Sequence, residues 1–274
     1  MPRFAPLPER RPALVAGASS GIGEATAIKL AANGFPVALG ARRVDKLQEI
    51  VEKIRADGGE AIAVHLDVTD PDSVKAAVEQ TTSELGEIEV LVAGAGDTYF
   101  GKLDAISIDE FESQIQIHLV GAYRVASAVL PGMLDRQRGD LIFVGSDVSL
   151  RPRPHMGAYG AAKAALVSMV TNYQMELEGT GVRASIVHPG PTKTSMGWSL
   201  PADLIGPALD DWAKWGQARH DYFMRAADLA RAITFVAETP RGSFIANMEL
   251  QPEAPLADNT SRQKLALGEE GMPS

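Results

Sequence analysis

The sequence contains no cysteine. That excludes disulfides, thiolate zinc sites and cysteine nucleophiles at once, and it suits a reducing compartment. Positive charge is not in excess either: 26 Lys and Arg face 35 Asp and Glu, a formal net charge of −9. A general nucleic-acid binder needs a basic face, so no nucleic-acid partner is expected. Long apolar runs are missing as well. None reaches the roughly 18 residues that a membrane span requires. The opening segment MPRFAPLPERRP sets prolines where a signal peptide would carry an apolar stretch. No membrane partner is expected, and the expected location is the cytoplasm.

What is present is an alternation of short apolar runs and amphipathic segments over 274 residues. A chain of that size buries a full core without staples. Ala13–Gly17, Pro36–Gly40, Ala61–Leu66, Ile88–Gly94, Asp140–Gly145 and Val182–Val187 read as buried strands, with a last one near Phe244–Leu250. Helical segments separate them. One runs from Val44 to Asp57, another opens at Asp70-Pro71, a long one follows the capping box of Ser107 and Glu110, and another starts near Ala158. Strands alternating with helices predict right-handed βαβ units, and so a doubly wound α/β fold with a parallel sheet between two helical layers. One domain over residues 12–252 is expected, with extensions at 1–11 and 253–274.

The first strand runs into Gly17-Ala18-Ser19-Ser20-Gly21-Ile22-Gly23. Gly17 allows a tight turn, Gly21 lets the backbone approach a pyrophosphate, and Gly23 allows helix–strand contact. The helix N-terminus then favours the anion. The second strand ends in Gly40-Ala41-Arg42-Arg43. A fold that prefers NAD sets Asp or Glu near this point, against the ribose hydroxyls. Here Ala41 leaves room, and Arg42, with Arg43 beside it, can clamp a 2′-phosphate. A solvated arginine pair at a helix start is the competing reading.

Ser146, Tyr159 and Lys163 carry the chemistry. Ser146 closes the fifth strand, at the sheet edge where α/β folds bind ligands. Tyr159 and Lys163 stand i, i+4 on one helix face. A free tyrosine titrates near 10, too high for ready proton exchange at neutrality, and an adjacent ammonium favours the phenolate. Ser146 can hydrogen-bond a substrate oxygen. The scattered His65, His188 and His220 show no metal-ligand spacing, so no metal is expected.

Through GASSGIG, YGAAK and HPGPTKT, in that order and spacing, the chain resembles the short-chain dehydrogenase/reductase family from about Pro12 to Pro252. The resemblance implies a seven-stranded Rossmann-like sandwich, a nicotinamide cofactor and hydride transfer at a carbonyl or alcohol carbon. It implies that Tyr159 is the general acid/base, that Ser146 orients the substrate oxygen, and that Lys163 lowers the tyrosine pKa and holds the nicotinamide ribose. It sets Pro189, Gly190, Thr192 and Thr194 against the carboxamide, and Asp67-Val68 and Ala93-Gly94-Ala95 around adenine and its ribose. Arg42 resembles the arginine of NADP-preferring members. A homodimer or homotetramer is implied too.

Three positions depart from the family pattern. Ala16 replaces a threonine, Ala93-Gly94-Ala95-Gly96 replaces Asn-Asn-Ala-Gly, and His118 aligns with the helix asparagine that supports a relay water. His118 either packs as a helix histidine or joins the relay itself. Residues 191–223 form the expected substrate lid and hold all three tryptophans, Trp198, Trp212 and Trp215, with Tyr222 and Phe223. A bulky apolar carbonyl compound suits such a lid; packing on the chain itself is the alternative. Arg151, Arg153 and His155 are candidates for meeting an anionic group, or for a solvated run. The expected activity is that of an NADP(H)-dependent carbonyl reductase or alcohol dehydrogenase. The rivals are a non-catalytic dinucleotide-binding sensor and an NAD-dependent enzyme of the same fold.

Overall fold

The computed structural model describes residues 4, 6–194, 202–217, 220 and 222–256. Trp198 and the rest of residues 195–201 in the expected lid lie outside these, as do residues 218, 219 and 221. So do residues 1–3, 5 and 257–274 of the expected extensions.

Seven parallel strands form one sheet. They are β1 (Ala13–Ala16), β2 (Val37–Ala41), β3 (Ala61–His65), β4 (Val90–Ala93), β5 (Gly139–Val144), β6 (Val182–Pro189) and β9 (Asn247–Leu250), in the spatial order β3-β2-β1-β4-β5-β6-β9. The register pairs Ala16 with both Gly40 and Ala93, which brings the carboxyl ends of β1, β2 and β4 level. The order reverses at β1/β4, so the crevice above these ends is where such sheets take ligands. A two-stranded sheet of β7 (Thr192–Lys193) and β8 (Met224–Arg225), not expected from the sequence, sits on the same side.

Strand alternation divides the core. Leu14 and Ala16 join Leu91, Leu141, Phe143 and the helix residues Val125, Val129 and Leu166 on one face. Ala13 and Val15 join Leu39, Val92 and Ile142 with Leu30, Leu47 and Ile233 on the other. Helices α1 (Gly21–Ala32), α2 (Val44–Ala56) and α8 (Ala226–Glu238) cover the second face. Helices α3 (Pro71–Leu85), α5 (Ala122–Asp135) and α6 (Gly157–Glu176) cover the first. The remaining helix, α7 (Ala202–Lys214), lies in the lid region.

The long helix after Ser107 differs from expectation. Its capping box forms, but α4 (Ile108–Ile115) gives way to one wide π-turn, Gln116–Gly121, before α5 begins. Such insertions cluster at functional sites, and this one carries His118. Against the expectation that no run is long enough, the helical stretch Ile108–Asp135 passes by length and mean hydropathy as able to cross a membrane, because an 18-residue window within it holds no more than two charged residues. Within it Val125, Ala126, Val129 and Met133 pack into the core against the sheet.

Candidate active site

Three elements converge at the carboxyl edge of the sheet. Ser146 lies two residues beyond β5 and caps the short 3₁₀ turn Asp147–Ser149, its hydroxyl accepting the Val148 N–H at 3.3 Å. Tyr159 and Lys163 stand in the first two turns of α6, and all three side chains are buried. Tyr159 and Ser146 share a hydrogen bond. Lys163 donates its Nζ to the Val144 carbonyl at 2.7 Å and lies 5.7 Å from the centre of the Tyr159 ring.

Burial pushes Tyr159 up to about 12. The Ser146 hydrogen bond and Arg153 oppose that shift, while Asp147 adds to it. Burial likewise pushes Lys163 down to about 7. Burial therefore dominates both groups in the chain by itself. Taking both groups out of water disfavours both charges, and the lysine turns toward a backbone carbonyl rather than forming a close ion pair with phenolate.

His118, 2 % exposed, meets the Tyr159 ring edge-on at 4.9 Å between centroids. Its Nε2–H donates to the Asp97 carbonyl at 2.7 Å, because a carbonyl can only accept. That leaves Nδ1 as a buried acceptor with no partner. Gly96 makes room: a Cβ there would stand 2.3 Å from the imidazole Cε1. Burial, with the Lys163 charge adding to it, holds His118 well below the usual histidine range.

The glycine turn forms a cradle. Gly17 has φ +88°, and a Cβ there would lie 2.7 Å from the Ala95 Cα; at Gly23 it would lie 2.2 Å from the Gly17 oxygen. Gly21 has φ +60° and faces Thr194. Ser20 precedes α1 without capping it by its side chain. Ser19 and Ser20 instead accept from Arg43 at 2.9 and 3.2 Å. The structure thus lays Arg43 across the turn, while Arg42 lies close enough to Asp67 to help lower its pKa. Asp67 is held chiefly by Thr69, whose hydroxyl and N–H both reach its Oδ1. Val68 packs where a Cβ on Gly121 would be, at 2.7 Å, and its carbonyl accepts from Arg124. At Gly94 the Val144 side chain takes the neighbouring space, 3.1 Å from where a Cβ would stand, which suits the missing asparagine there. Pro189 ends β6, Gly190 abuts Gln251, and Thr192 donates to the Gly190 carbonyl at 2.8 Å. Backbone approachable only through glycine, beside a helix N-terminus, fits a dinucleotide.

The lid partly turns inward. Trp212 joins a cluster of Phe100, Val148, Met156, Tyr159 and Ala208 and donates its indole N–H to the Pro154 carbonyl at 2.8 Å. Trp215 and Tyr222 are exposed. The three candidates for an anionic group are already partnered: Arg153 with Asp147, Arg151 with Glu249, and His155 with Asp211. Sequence spacing held no signal for these pairs, because the partners come from distant segments or from a turn whose shape was unknown.

A family model described as short chain dehydrogenase matches residues 11–204. The chain belongs to the short-chain dehydrogenase family. It is 35 % identical to the 2,3-dihydro-2,3-dihydroxybenzoate dehydrogenase of Bacillus subtilis, over 72 % of this chain and 76 % of that one. It is 34 % identical, over 88 % of its length, to part of the glycine betaine reductase of Emericella nidulans, and spans 18 % of that longer protein. Among solved structures it is similar to an alcohol dehydrogenase of the archaeon Thermococcus sibiricus complexed with 5-hydroxy-NADP. The identity there is 31 %, the TM-score 0.77, and coverage is 89 % of this chain and 100 % of the other. Like other short-chain dehydrogenases the chain is an oxidoreductase with a Rossmann-like dinucleotide fold. Beyond the residues expected from sequence, this short-chain dehydrogenase site includes Asp97 and Gln114. The Gln114 amide donates to the Asp97 carboxylate at 3.0 Å behind His118.

Proposed function

We propose that the protein is an NADP(H)-dependent carbonyl reductase or alcohol dehydrogenase for bulky apolar substrates. The observation that carries this is the convergence of buried Ser146, Tyr159 and Lys163 beside the glycine cradle. A bound nicotinamide supplies the hydride. Gly17, Ser19, Ser20, Gly21, Ile22 and Gly23 cradle the pyrophosphate, with Arg42 and Arg43 at the 2′-phosphate. Asp67, Val68, Ala93, Gly94 and Ala95 border the adenosine half. Pro189, Gly190, Thr192 and Thr194 border the carboxamide, and Tyr159 and Lys163 the adjacent ribose. Ser146 orients the substrate oxygen, Tyr159 gives that oxygen its proton in reduction, and Lys163 lies below as the proton's reserve. The complex of the archaeal relative with 5-hydroxy-NADP supports the cofactor.

The test is consumption of NADPH against a panel of neutral ketones and aldehydes. Carbonyl-dependent consumption is expected. Tight NADPH binding with no turnover across the panel would leave the sensor reading instead.

The assembly proposed is a homodimer or homotetramer working in the cytoplasm. Exposed Tyr123 and Leu134 line a groove between α5 and α6, with Met169 and Tyr173 opposite, that a second copy can cover.

His118 is proposed to act through Tyr159 as a neutral acceptor. His118→Asn keeps a side-chain acceptor and the backbone carbonyl, so activity should stay within about tenfold, against the 10²-fold or more of a lost acid/base group. Because burial holds the imidazole neutral, His118 should contribute no limb near ~6.5, the ordinary histidine value, and any limb that Lys163 sets near 7 should persist in His118→Asn. A limb there that vanishes in His118→Asn would make the imidazole a proton carrier.

A further inference from the structure

Asp147 follows Ser146 directly and is 2 % exposed. A buried carboxylate requires partners, and Arg153 supplies a forked pair at 3.0 and 2.6 Å, with Gln251 donating at 3.2 Å. The Arg153 guanidinium also lies over the Trp212 ring, 5.4 Å from its centre, and Trp212 belongs to the same apolar cluster as Tyr159. Asp147 is the neighbour of Ser146, which shares a hydrogen bond with Tyr159, and Arg153 packs on Trp212 of the Tyr159 cluster, so the pair lies on the Ser146 and Trp212 side of the site. The nearby cations are engaged too: Arg151 with Glu249, His155 with Asp211, and Lys163 with the Val144 carbonyl.

We propose that the Asp147–Arg153 pair sets the charge selectivity of the substrate site, closing it to anionic carbonyl compounds and leaving it open to neutral apolar ones. This rests on the hydride-transfer reading of the same site. An entering carboxylate meets an apolar wall and a guanidinium already neutralised by Asp147, so it leaves its hydration without a new partner. Arg153 is then a latent carboxylate site held shut by its neighbour.

The test compares acetophenone with 4-acetylbenzoate, which carries the same methyl ketone and adds one carboxylate. The native protein should favour acetophenone by at least about 10²-fold in kcat/KM, since an ionised carboxylate that leaves water without a partner carries a large desolvation cost. Asp147→Asn frees the guanidinium and should improve the 4-acetylbenzoate to acetophenone ratio about ten- to a hundredfold, the range of a charge-assisted hydrogen bond. The double variant Asp147→Asn/Arg153→Leu removes both charges and should lose that gain. NADPH binding checks that each variant is folded. Equal use of the two ketones by the native protein, or an unchanged ratio in folded Asp147→Asn, would overturn the proposal. Binding of each ketone to the NADP⁺ complex, read by quenching of tryptophan fluorescence, gives the corresponding ratio of affinities without turnover. Absence of catalysis would then count against the hydride-transfer reading alone, while the binding ratio still decides charge selectivity.

Discussion

Tyr159→Phe should fold, bind NADPH as the native protein does, and lose between about 10² and 10⁴ in turnover, the range of a positioned acid/base group. Only one hydroxyl is removed. The ring keeps its place in the Phe100–Trp212 cluster and its edge contact with His118. What disappears is the proton donor and its hydrogen bond to Ser146. The pH dependence follows from the same burial. Tyr159, pushed up to about 12, stays protonated across the working range. Lys163, pushed down to about 7, does not. With Lys163 proposed as the reserve that restores the Tyr159 proton, the rate of carbonyl reduction should fall as pH rises through about 7, and alcohol oxidation should gain there. Stopped-flow absorbance of NADPH with both proteins measures the loss, and steady-state rates between pH 5.5 and 9, a span chosen around the Lys163 value, measure the slope. A folded Tyr159→Phe variant with near-native turnover would remove Tyr159 from the chemistry.

NADPH should bind at least tenfold tighter than NADH, and Ala41→Asp should reverse that order. Ala41 ends β2 and is 7 % exposed. The small side chain leaves the ribose 2′ position free, and Arg42 and Arg43 follow at once. A charge-assisted hydrogen bond contributes about 1.5–3 kcal/mol, which is roughly 10- to 100-fold in affinity. Arg43 already bridges the hydroxyls of Ser19 and Ser20, so the two arginines share the load and Arg42→Ala alone should leave a residual preference. A carboxylate at 41 acts differently. It repels the phosphate of NADPH and accepts from the free ribose hydroxyls of NADH, so the ratio of the two Kd values should change by a hundredfold or more. Fluorescence titration with each cofactor reads both values. Equal affinity in the native protein would leave Arg42 and Arg43 as surface charges.

The parts legible in the sequence are those that local chemistry dictates. Short apolar runs such as Ala13–Ala16, buried on both sides, can only be inner strands of a covered sheet. Gly17 and Gly23 sit where any side chain would collide with backbone. Ser146, Tyr159 and Lys163 belong to consecutive elements, so their meeting follows once the sheet is parallel. The illegible parts depend on contacts between distant segments. Asp147 takes Gln251 from 104 positions away, and buried Asp140 is clasped by Arg11 and Arg183, 129 and 43 positions away on either side. No periodicity announces the π-turn at Gln116–Gly121, because one extra residue per turn barely disturbs an apolar stripe. The electrostatic sign at Tyr159 was hidden for a different reason. Spacing puts a lysine one turn away, but burial depth, which decides the shift, is set by the lid and the strand ends together.

The most direct measurement is single-turnover reduction of acetophenone with NADPH carrying deuterium at both C4 positions of the nicotinamide, followed by mass analysis of the alcohol. Hydride transfer at this site predicts deuterium on the carbinol carbon in the native protein and at least about 10²-fold less of that product in the same time with Tyr159→Phe. An alcohol carrying no deuterium, or equal labelled yields from the native and Tyr159→Phe proteins, would contradict it.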